Sequence, residues 1–481
     1  MIAPGAIIEQ AEQIGLSIDV ETASMAADMV EGLAGAWPVA SKIDQSRAPM
    51  GDPLNAIARV INRPAADAGP LSGKTIAIKD NIAVANIATA LGSGLQGFVG
   101  DEDATIVARI AAAGCTISAK SQCEAFLLGA NSFSSRPEPV RNPHDLTRSA
   151  GGSSSGSAAM VAAGLSDCAI GTDSGGSIRI PASHCGIVGF KPSRGVVPYT
   201  GIAPLAPWLE VAGPMARSVA DAAALFEIIA GSDTLDIRCG WAPPVRDEAP
   251  PRSLPQIRFG VFGAAAKLCE AEVQKIFDAS VNRLQNGGAE ITHFDWPDFE
   301  ATHAVHLAIY LISDALNGAG PGTGTEASDP PGWREWRQSV MVTDLPAPLP
   351  LAYATGLALR DNDPGLLNRA IGEAIRLADK LDHALGAFDA ILLPTCRTVA
   401  PLIPAAAPSF DEFYGDTMLT APFNATGHPA LSLPAGKVGR MPVGLQIVGR
   451  RGSDRRLMSI ATLVENALGR LQPPEGDFGS L

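Results

Sequence analysis

Residues 151–182 read GGSSSGSAAMVAAGLSDCAIGTDSGGSIRIPA, and this stretch decides how the rest of the chain is interpreted. Two glycine–serine clusters enclose a short run of small apolar residues, which is typical of a buried helix followed by a strand. A flexible linker would explain the first cluster alone, but a compact helix and strand follow it at once. The stretch therefore predicts two glycine-rich turns that present serine side chains within an α/β core.

The composition excludes several classes of protein. The chain has 481 residues, of which 46% are apolar, so it can bury a large core. Its formal charge of −14 argues against nucleic acid as a partner, because phosphate binding needs a basic face. The seven cysteines form no CxxC pair, which favours a reducing, cytoplasmic location. No run approaches about 20 apolar residues, so neither a membrane-spanning helix nor a membrane partner is expected.

The order of elements predicts one α/β domain. TIAIK (75–79) reads as a buried strand, residues 103–114 as a helix and residues 115–120 as the next strand. A strand–helix–strand order indicates parallel pairing. Residues 290–385 have the weakest pattern and are predicted to be a variable insertion near the site. The predicted divisions of the chain are a helical cap and loop over 1–70, an α/β domain over 71–470 and a tail over 471–481.

The second glycine–serine cluster, GTDSGGSIR at 171–179, predicts a turn whose backbone N–H groups converge on one point. An oxyanion hole requires such convergence, and glycine lets a substrate carbonyl approach the backbone closely. An ordinary tight turn is the alternative. Lys79 ends the predicted strand, so it would either reach solvent or, if buried, have a lowered pKa and serve as a base. Together these residues suggest a hydrolase that works without histidine.

The first cluster allows two further interpretations. Gly152–Gly156 fits the G-x-S-x-G pattern of a nucleophile elbow, but the preceding HDLTRSAG does not read as the strand that an elbow needs. An anion-binding nest at a helix N-terminus would suit the glycines, although no Walker lysine is present. The cluster on its own does not decide between these structures.

Together these motifs resemble the amidase signature family. Within it, the chain looks most like the bacterial enantioselective and aryl or aliphatic amidases. The resemblance implies a single large α/β domain with a central mixed, mainly parallel β-sheet covered by helices on both faces. The matching segments span roughly residues 70–470 and are GKTIAIKDNI (73–82), NPHD (142–145), GGSSSGSAA (151–159), GTDSGGSIRIPASHCGIVGFKPSRG (171–195), and TAPFNATGHPALSLPAG with MPVGLQIVG (420–449).

The resemblance implies a Ser–cisSer–Lys triad. Ser177 would be the nucleophile, Ser153 the bridging serine after a cis peptide, and Lys79 the base. The turn would stabilise the oxyanion of the tetrahedral intermediate through its backbone. The N–H groups of this oxyanion hole would belong to Ser174, Gly175, Gly176 and Ser177.

Other residues are expected to support this site. Ser154 would hold local hydrogen bonds, and Asp173 and Arg179 would pair and brace the turn. The implied activity is hydrolysis of the C–N bond of a small-molecule amide, with no cofactor and no metal. The resemblance also allows a homodimer. The acyl pocket would be lined, by similarity to relatives, by Leu127, Gly129 and Ala130.

Several alternatives stay open. Cys185 beside His184 would be a thiol nucleophile, although such neighbours are usually coincidental. His303 and His306 would share a helix face as metal ligands, but a third ligand is missing. GAGPGTG at 318–324 resembles a dinucleotide loop but follows a helical pattern. The alternative functions are the glutamine-hydrolysing subunit of an aminoacyl-tRNA amidotransferase, a hydrolase of esters, carbamates or ureas, and a silent binding protein on the same fold.

Overall fold

A computed structural model describes residues 3–13, 17–35, 44–46, 49, 51–65, 68–246, 249–319, 348–405, 409, 412 and 415–479. Strands β1–β15 are, in chain order, Ile57–Arg63, Thr75–Lys79, Ala88–Thr89, Phe98–Val99, Thr116–Ser121, Arg141–Asn142, Asp145–Ser149, Cys168–Asp173, Val188–Lys191, Val211–Ala216, Arg258–Val261, Glu290–His293, Ala390–Pro394, Ala430–Val438 and Met441–Val448. Helices α1–α13 are Pro4–Gln13, Val20–Gly35, Thr105–Ala112, Ser155–Ala162, Arg179–Cys185, Val219–Ile229, Gly263–Ala266, Ala271–Asn286, Phe299–Ala319, Pro348–Asn362, Leu366–Ala384, Pro422–Ala425 and Asp454–Leu468.

One sheet of 11 strands organises these elements, in the order β1-β5-β2-β8-β10-β9-β14-β15-β13-β11-β12. Strand β2 pairs in parallel with β5 on one side and with β8 on the other. Strand β11 likewise pairs in parallel with β12 and β13. All strand pairs between these two groups are antiparallel. The sheet is therefore mixed, with its parallel strands near the two ends.

The predicted mixed sheet is confirmed, but it is not mainly parallel. The reason lies in the connections. Helix α8 joins β11 to β12, and a helical crossover permits parallel pairing. Strands β14 and β15 are separated only by Gly439 and Arg440, and such a short turn can join only antiparallel strands. Strand β10 was not predicted at all, because Gly213 and Pro214 in VAGPMA are typical of a turn.

The side chains of β2 show that helices cover both faces of the sheet, as predicted. Ile76 and Ile78 lie in a hydrophobic cluster with residues of α3 and α6, whereas Ala77 lies in a second cluster with α4. Every residue of α4 is buried. A Cβ on Gly156 of this helix would clash with the carbonyl oxygen of Ala56. Small side chains thus bring the N-terminus of α4 close to the strand ends.

The predicted divisions can be compared with these elements. Within residues 1–70, α1 and α2 are followed by β1, where a loop was predicted; β1 joins the sheet edge through β5. The predicted insertion at 290–385 holds β12, α9, α10 and α11, and its residues 320–347 lie outside the described ranges. Residues 471–479 form no helix or strand, and 480–481 lie outside the described part. The boundaries at 70/71 and 470/471 themselves stay predictions.

Candidate active site

The carboxyl ends of two neighbouring parallel strands bring Lys79 and Thr172 together. Strands β2 and β8 pair with Ile78 opposite Ile170, so both end at the same edge of the sheet. In open α/β sheets this edge is where ligands bind. Lys79 Nζ lies 2.8 Å from Ser153 Oγ and 3.0 Å from Thr172 Oγ1. The structure therefore joins two of the three predicted triad residues and adds a threonine that the sequence did not single out.

Lys79 is buried in a setting that favours its neutral form. Burial lowers the pKa of Lys79 to about 8, despite nearby anionic groups that act in the opposite direction. Lys120 of the adjacent strand β5 is also buried, but it lies 3.6 Å from a carboxylate oxygen of Asp80. Within the described ranges, Lys79 has no carboxylate at salt-bridge distance. Lys79 can therefore supply a neutral amine near physiological pH.

Ser153 follows a cis peptide bond after Gly152, as the resemblance implies. Its carbonyl oxygen accepts a hydrogen bond from the Glu124 N–H at 3.1 Å. Gly152 is tightly enclosed, since a Cβ there would lie 2.8 Å from Glu124 Oε2 and 3.0 Å from the carbonyl carbon of Ala130. Burial raises the pKa of Glu124 to about 7. A buried carboxyl group thus packs directly against the loop that presents the bridging serine.

Ser154 connects this loop to strand β8 and to the second turn. Its hydroxyl donates to the Thr172 carbonyl at 3.1 Å and accepts from the Thr172 N–H at 3.3 Å. Its own N–H donates to the Ser177 carbonyl at 3.2 Å. Contrary to the prediction, a strand (β7) precedes the cluster. A nucleophile elbow is still excluded, because Ser154 would be its nucleophile and its hydroxyl is buried and hydrogen-bonded.

An internal ion pair braces the turn from Asp173 to Ser177. Arg179 donates to the two carboxylate oxygens of Asp173 at 3.0 and 2.9 Å, and both side chains are fully buried. Burial alone would raise the pKa of Asp173, but the Arg179 guanidinium holds that pKa well below its usual range. The same carboxylate accepts the N–H groups of Gly176 at 2.8 Å and Ile178 at 3.1 Å. The pair has the geometry that the predicted bracing role requires.

Three side chains that are distant in sequence hold the backbone carbonyls of the same turn. None of the three roles was predicted, because a local sequence pattern does not report which polar atom a distant segment will meet. Two of them lie in the segment TAPFNATGHP, whose similarity to the family was the available signal. The bonds run from Asn424 Nδ2 to Asp173 O (3.0 Å), from His306 Nε2 to Ser174 O (2.8 Å) and from Thr420 Oγ1 to Gly175 O (2.6 Å).

These bonds direct the N–H groups of the turn, since a carbonyl and the following N–H point to opposite sides of a trans peptide. In the described residues no acceptor meets the N–H of Ser174, Gly175 or Ser177. The Gly176 N–H donates to Asp173 instead, although it was predicted to belong to the oxyanion hole. The Ser177 hydroxyl also makes no hydrogen bond to a described group, and the residue is 7% exposed. The turn thus leaves a serine hydroxyl and three N–H groups unengaged.

The predicted acyl-pocket residues lie in two surroundings. Ala130 packs against Gly152 and belongs to a small cluster with Ile180 of α5. Leu127 is buried in a different cluster that includes residues of α9. Leu127 and Gly129 have φ angles of 67° and 108°. Ala130 is therefore beside the triad, Leu127 packs the loop against the 290–385 segment, and the role of the three in substrate binding stays a prediction.

The competing sites are not supported by the geometry. Burial raises the pKa of the Cys185 thiol well above its usual range, which disfavours a thiolate nucleophile. His303 and His306 have ring centroids 6.4 Å apart, and the described ranges contain no cluster of three His, Cys, Asp or Glu residues suited to a metal. Most of GAGPGTG at 318–324 lies outside the described residues. Among the helices that the structure describes, none is long and apolar enough to cross a bilayer.

Similarity to known proteins extends over most of the chain. The family model named Amidase matches residues 33–458. The chain belongs to the amidase family. The predicted family is thereby confirmed, and this amidase is an amide-hydrolysing enzyme.

Proteins similar to this amidase include amidotransferase subunits and amidases. A glutamyl-tRNA(Gln) amidotransferase subunit of Thermus thermophilus is 34% identical, covering 85% of this chain and 88% of the relative. An enantioselective amidase of Rhodococcus rhodochrous is 36% identical, covering 85% and 82%. Among solved structures, the corresponding amidotransferase subunit of Thermotoga maritima has a TM-score of 0.74 at 30% identity, covering 88% of this chain and 91% of that chain. The Stenotrophomonas maltophilia peptide amidase has a TM-score of 0.71 at 29% identity, covering 89% and 92%.

Proposed function

We propose that this amidase hydrolyses linear carboxylic amides through an acyl-enzyme on Ser177, with Ser153 and Lys79 as the proton relay. The observation that carries the proposal is the buried contact of 2.8 Å between Lys79 Nζ and Ser153 Oγ, beside the turn that bears Ser177. Burying a lysine without a carboxylate partner is unfavourable for its charged form. Placed against Ser153, whose neighbour Ser154 is bonded to the Ser177 carbonyl, the resulting neutral amine is suited to remove a proton.

Acylation follows from these positions. Neutral Lys79 accepts the Ser153 hydroxyl proton while Ser153 accepts the proton of Ser177. Ser177 Oγ then forms a bond to the substrate carbonyl carbon, and the carbonyl oxygen takes the electron pair. The unengaged N–H groups of Ser174 and Gly175, with that of Ser177 itself, would stabilise this oxyanion. The proton returns through Ser153 to the amide nitrogen as the C–N bond breaks, so ammonia or an amine leaves.

Deacylation uses the same groups in reverse. A water molecule takes the place of the leaving amine and gives its proton through Ser153 to Lys79. The water oxygen forms a bond to the acyl carbon, and the bond from Ser177 Oγ to that carbon breaks. Ser177 recovers its proton, and the carboxylic acid is released. No redox step or cofactor enters this scheme, and the ester, carbamate and urea alternatives would share its acyl-enzyme.

A second candidate is the glutamine-hydrolysing subunit of an aminoacyl-tRNA amidotransferase. The relative from Thermus thermophilus supports it, at 34% identity over 420 residues, and so does the Thermotoga maritima structure. The same acyl-enzyme chemistry would then release ammonia from glutamine, and partner subunits would use it. We favour the stand-alone amidase because the apolar 127–133 loop and the N-terminal segment look most like that branch of the family. The 36% identity to the Rhodococcus rhodochrous enantioselective amidase supports this choice as well as the 34% identity to the Thermus thermophilus subunit supports the second candidate.

The test measures ammonia or amine release from benzamide, propionamide, an anilide, glutamine and a phenyl carbamate. Wild type, Ser177→Ala and Ser155→Ala are compared at equal concentration. Ser155 is the matched control, because its buried hydroxyl lies two residues from Ser153 and has no partner in the described part of the chain. We expect release from simple amides or anilides by wild type and Ser155→Ala, and none by Ser177→Ala.

Other patterns of release would change the proposed substrate or the proposed nucleophile. Release of ammonia from glutamine alone would support the amidotransferase hypothesis, and a higher rate of release with partner subunits would strengthen that conclusion. Preferred cleavage of the carbamate would indicate that carbamates are the substrate class, and it would still agree with the proposed triad. Full activity of Ser177→Ala would end the nucleophile assignment.

A further inference from the structure

His306 reaches the Asp173–Ser177 turn from a segment for which the proposed mechanism has no use. It lies on helix α9, Phe299–Ala319, inside the predicted insertion. Its Nε2 is 2.8 Å from the Ser174 carbonyl oxygen, and the residue is completely buried. A backbone carbonyl only accepts hydrogen bonds, so the proton of this imidazole must be on Nε2.

The His306 ring is neutral and firmly packed. Burial lowers the pKa of His306 to about 3, so it carries no charge at physiological pH. Its centroid lies 5.6 Å from that of Tyr310, with the two ring planes 24° apart, and 6.4 Å from that of His303. A Cβ on Gly175 would lie 3.2 Å from both Cε1 and Nε2 of the imidazole. The ring thus contacts the turn backbone by packing as well as by its hydrogen bond.

The bond from His306 fixes one particular peptide plane. The Ser174–Gly175 peptide is trans, so when its carbonyl points to His306, the Gly175 N–H points to the opposite side. Thr420 fixes the next carbonyl, but the resulting N–H of Gly176 is used by Asp173. Of these two planes, only the one held by His306 therefore leaves an N–H free for a ligand.

We propose that His306 is a positioning residue that aims the Gly175 N–H at the oxyanion of the tetrahedral intermediate. This inference rests on the proposed acyl-enzyme at Ser177. His306 transfers no proton and does not contact the substrate in this role. It makes helix α9 part of the catalytic machinery, so the insertion has a function at the reacting carbonyl.

The experiment compares His306→Leu, which removes the donor with little loss of volume, with His306→Gln, which keeps an N–H donor of similar reach. His303→Leu is the matched control, one helical turn away on α9 and without a hydrogen bond to the turn. We measure kcat, KM and pH profiles on the best amide, the burst with a 4-nitrophenyl ester, and inhibition by a substrate-like aldehyde that forms a tetrahedral adduct.

We expect His306→Leu to lower kcat about 10- to 100-fold with KM nearly unchanged, since misplacing an oxyanion donor affects mainly the transition state. The aldehyde should bind correspondingly more weakly, while binding of the carboxylic acid product stays the same. His306→Gln should recover most of the loss, His303→Leu should resemble wild type, and no variant should shift the pH profile.

Two results would overturn the inference. One is a His306→Leu enzyme with wild-type kcat. The other is a parallel loss in His306→Leu and His306→Gln that follows their melting temperatures, which would indicate a purely structural role. Ser177→Ala is assayed beside them: if it keeps full activity, or if wild type gives neither turnover nor a burst, the proposed acyl-enzyme fails. If Ser177→Ala is inactive and His306→Leu is not impaired, only the role of His306 fails.

Discussion

The two serine-bearing loops of the site, residues 151–154 and 173–177, hold their serines in opposite ways. In the first loop the hydroxyls are engaged: Ser153 Oγ contacts Lys79, and Ser154 Oγ makes two bonds to strand β8. In the second loop the backbone carbonyls and the Asp173 carboxylate accept hydrogen bonds, whereas the Ser177 hydroxyl makes no hydrogen bond to a described group. A relay serine needs a fixed hydroxyl, whereas a nucleophile needs a free hydroxyl in a fixed frame.

Removing the free hydroxyl should have the largest effect. Ser177→Ala should lower kcat about 10⁴-fold or more, as removal of a nucleophile does in serine hydrolases. Ser153→Ala should lose less, about 10²- to 10³-fold, because a water molecule can occupy the bridge between Lys79 and Ser177. Steady-state amide hydrolysis at fixed pH measures both. Equal losses would mean that the two loops do not have separate roles.

Breaking the frame of the second loop should affect stability as well as rate. Asp173→Asn leaves the buried Arg179 charge uncompensated, which should lower the free energy of unfolding by about 3–5 kcal/mol. The rate should also fall, because Gly176 and Ile178 lose a charged acceptor. Urea unfolding and activity of the folded protein are the two measurements.

An exposed ion pair with similar geometry is the control for this frame. Arg455 donates to both carboxylate oxygens of Glu227 at 2.8 Å, but their side chains are 62% and 48% exposed. Glu227→Gln should therefore cost less than about 1 kcal/mol and leave the rate unchanged. If Asp173→Asn is equally mild, the buried pair does not hold the turn.

The pH dependence of the rate should report on the first loop, whose Ser153 hydroxyl contacts Lys79. Lys79 must be neutral to accept a proton, and its pKa is lowered to about 8 by burial. The rate should therefore rise with pH through about 8 and then level, falling about tenfold per unit at lower pH. The acid limb of kcat/KM measures this pKa in the free enzyme. A profile that is flat from pH 6 to 9 would contradict Lys79 as the base.

The smallest effect should come from Thr172→Val. The Thr172 hydroxyl accepts a hydrogen bond from Lys79 Nζ at 3.0 Å, and such a bond is stronger when its donor is charged, so it favours the ammonium form. Its loss should lower the pKa of Lys79 and move the acid limb to lower pH by less than about one unit. The plateau rate should change less than about tenfold. A shift to higher pH would show that Thr172 favours the neutral amine instead.

The sequence predicted elements whose apolar runs are continuous, such as the strand at 75–79, and it missed those interrupted by special residues. Strand β10 contains Gly213 and Pro214, yet it pairs with β8 along its whole length. The two-stranded hairpin at 141–149 is polar, and the sequence before the first cluster did not read as a strand. Burial pattern is a local signal, whereas pairing depends on the neighbour that the fold provides.

The same distinction separates the site residues that were predicted from those that were missed. The bridging serine, the lysine and the turn belong to motifs of unusual composition, so sequence similarity could place them. His306, Thr420 and Asn424 act through single polar atoms on a backbone more than a hundred residues away, and no local composition records that contact. The direction of the Gly176 N–H is set in the same way, by Thr420 and Asp173, and its place in the oxyanion hole stays a prediction.

Arg179 also donates to Gln446 Oε1 at 2.7 Å, close to the end of the matched region. During translation, the reacting serine and lysine therefore emerge long before the side chain that completes their surroundings. A polypeptide released before Gln446 would contain every proton-transfer group, but Arg179 would lack this hydrogen-bond partner and strands β13 and β14 would lack the end of β15, the strand between them. For this enzyme, the appearance of activity on the ribosome should follow the synthesis of strand β15 and not that of its reactive residues.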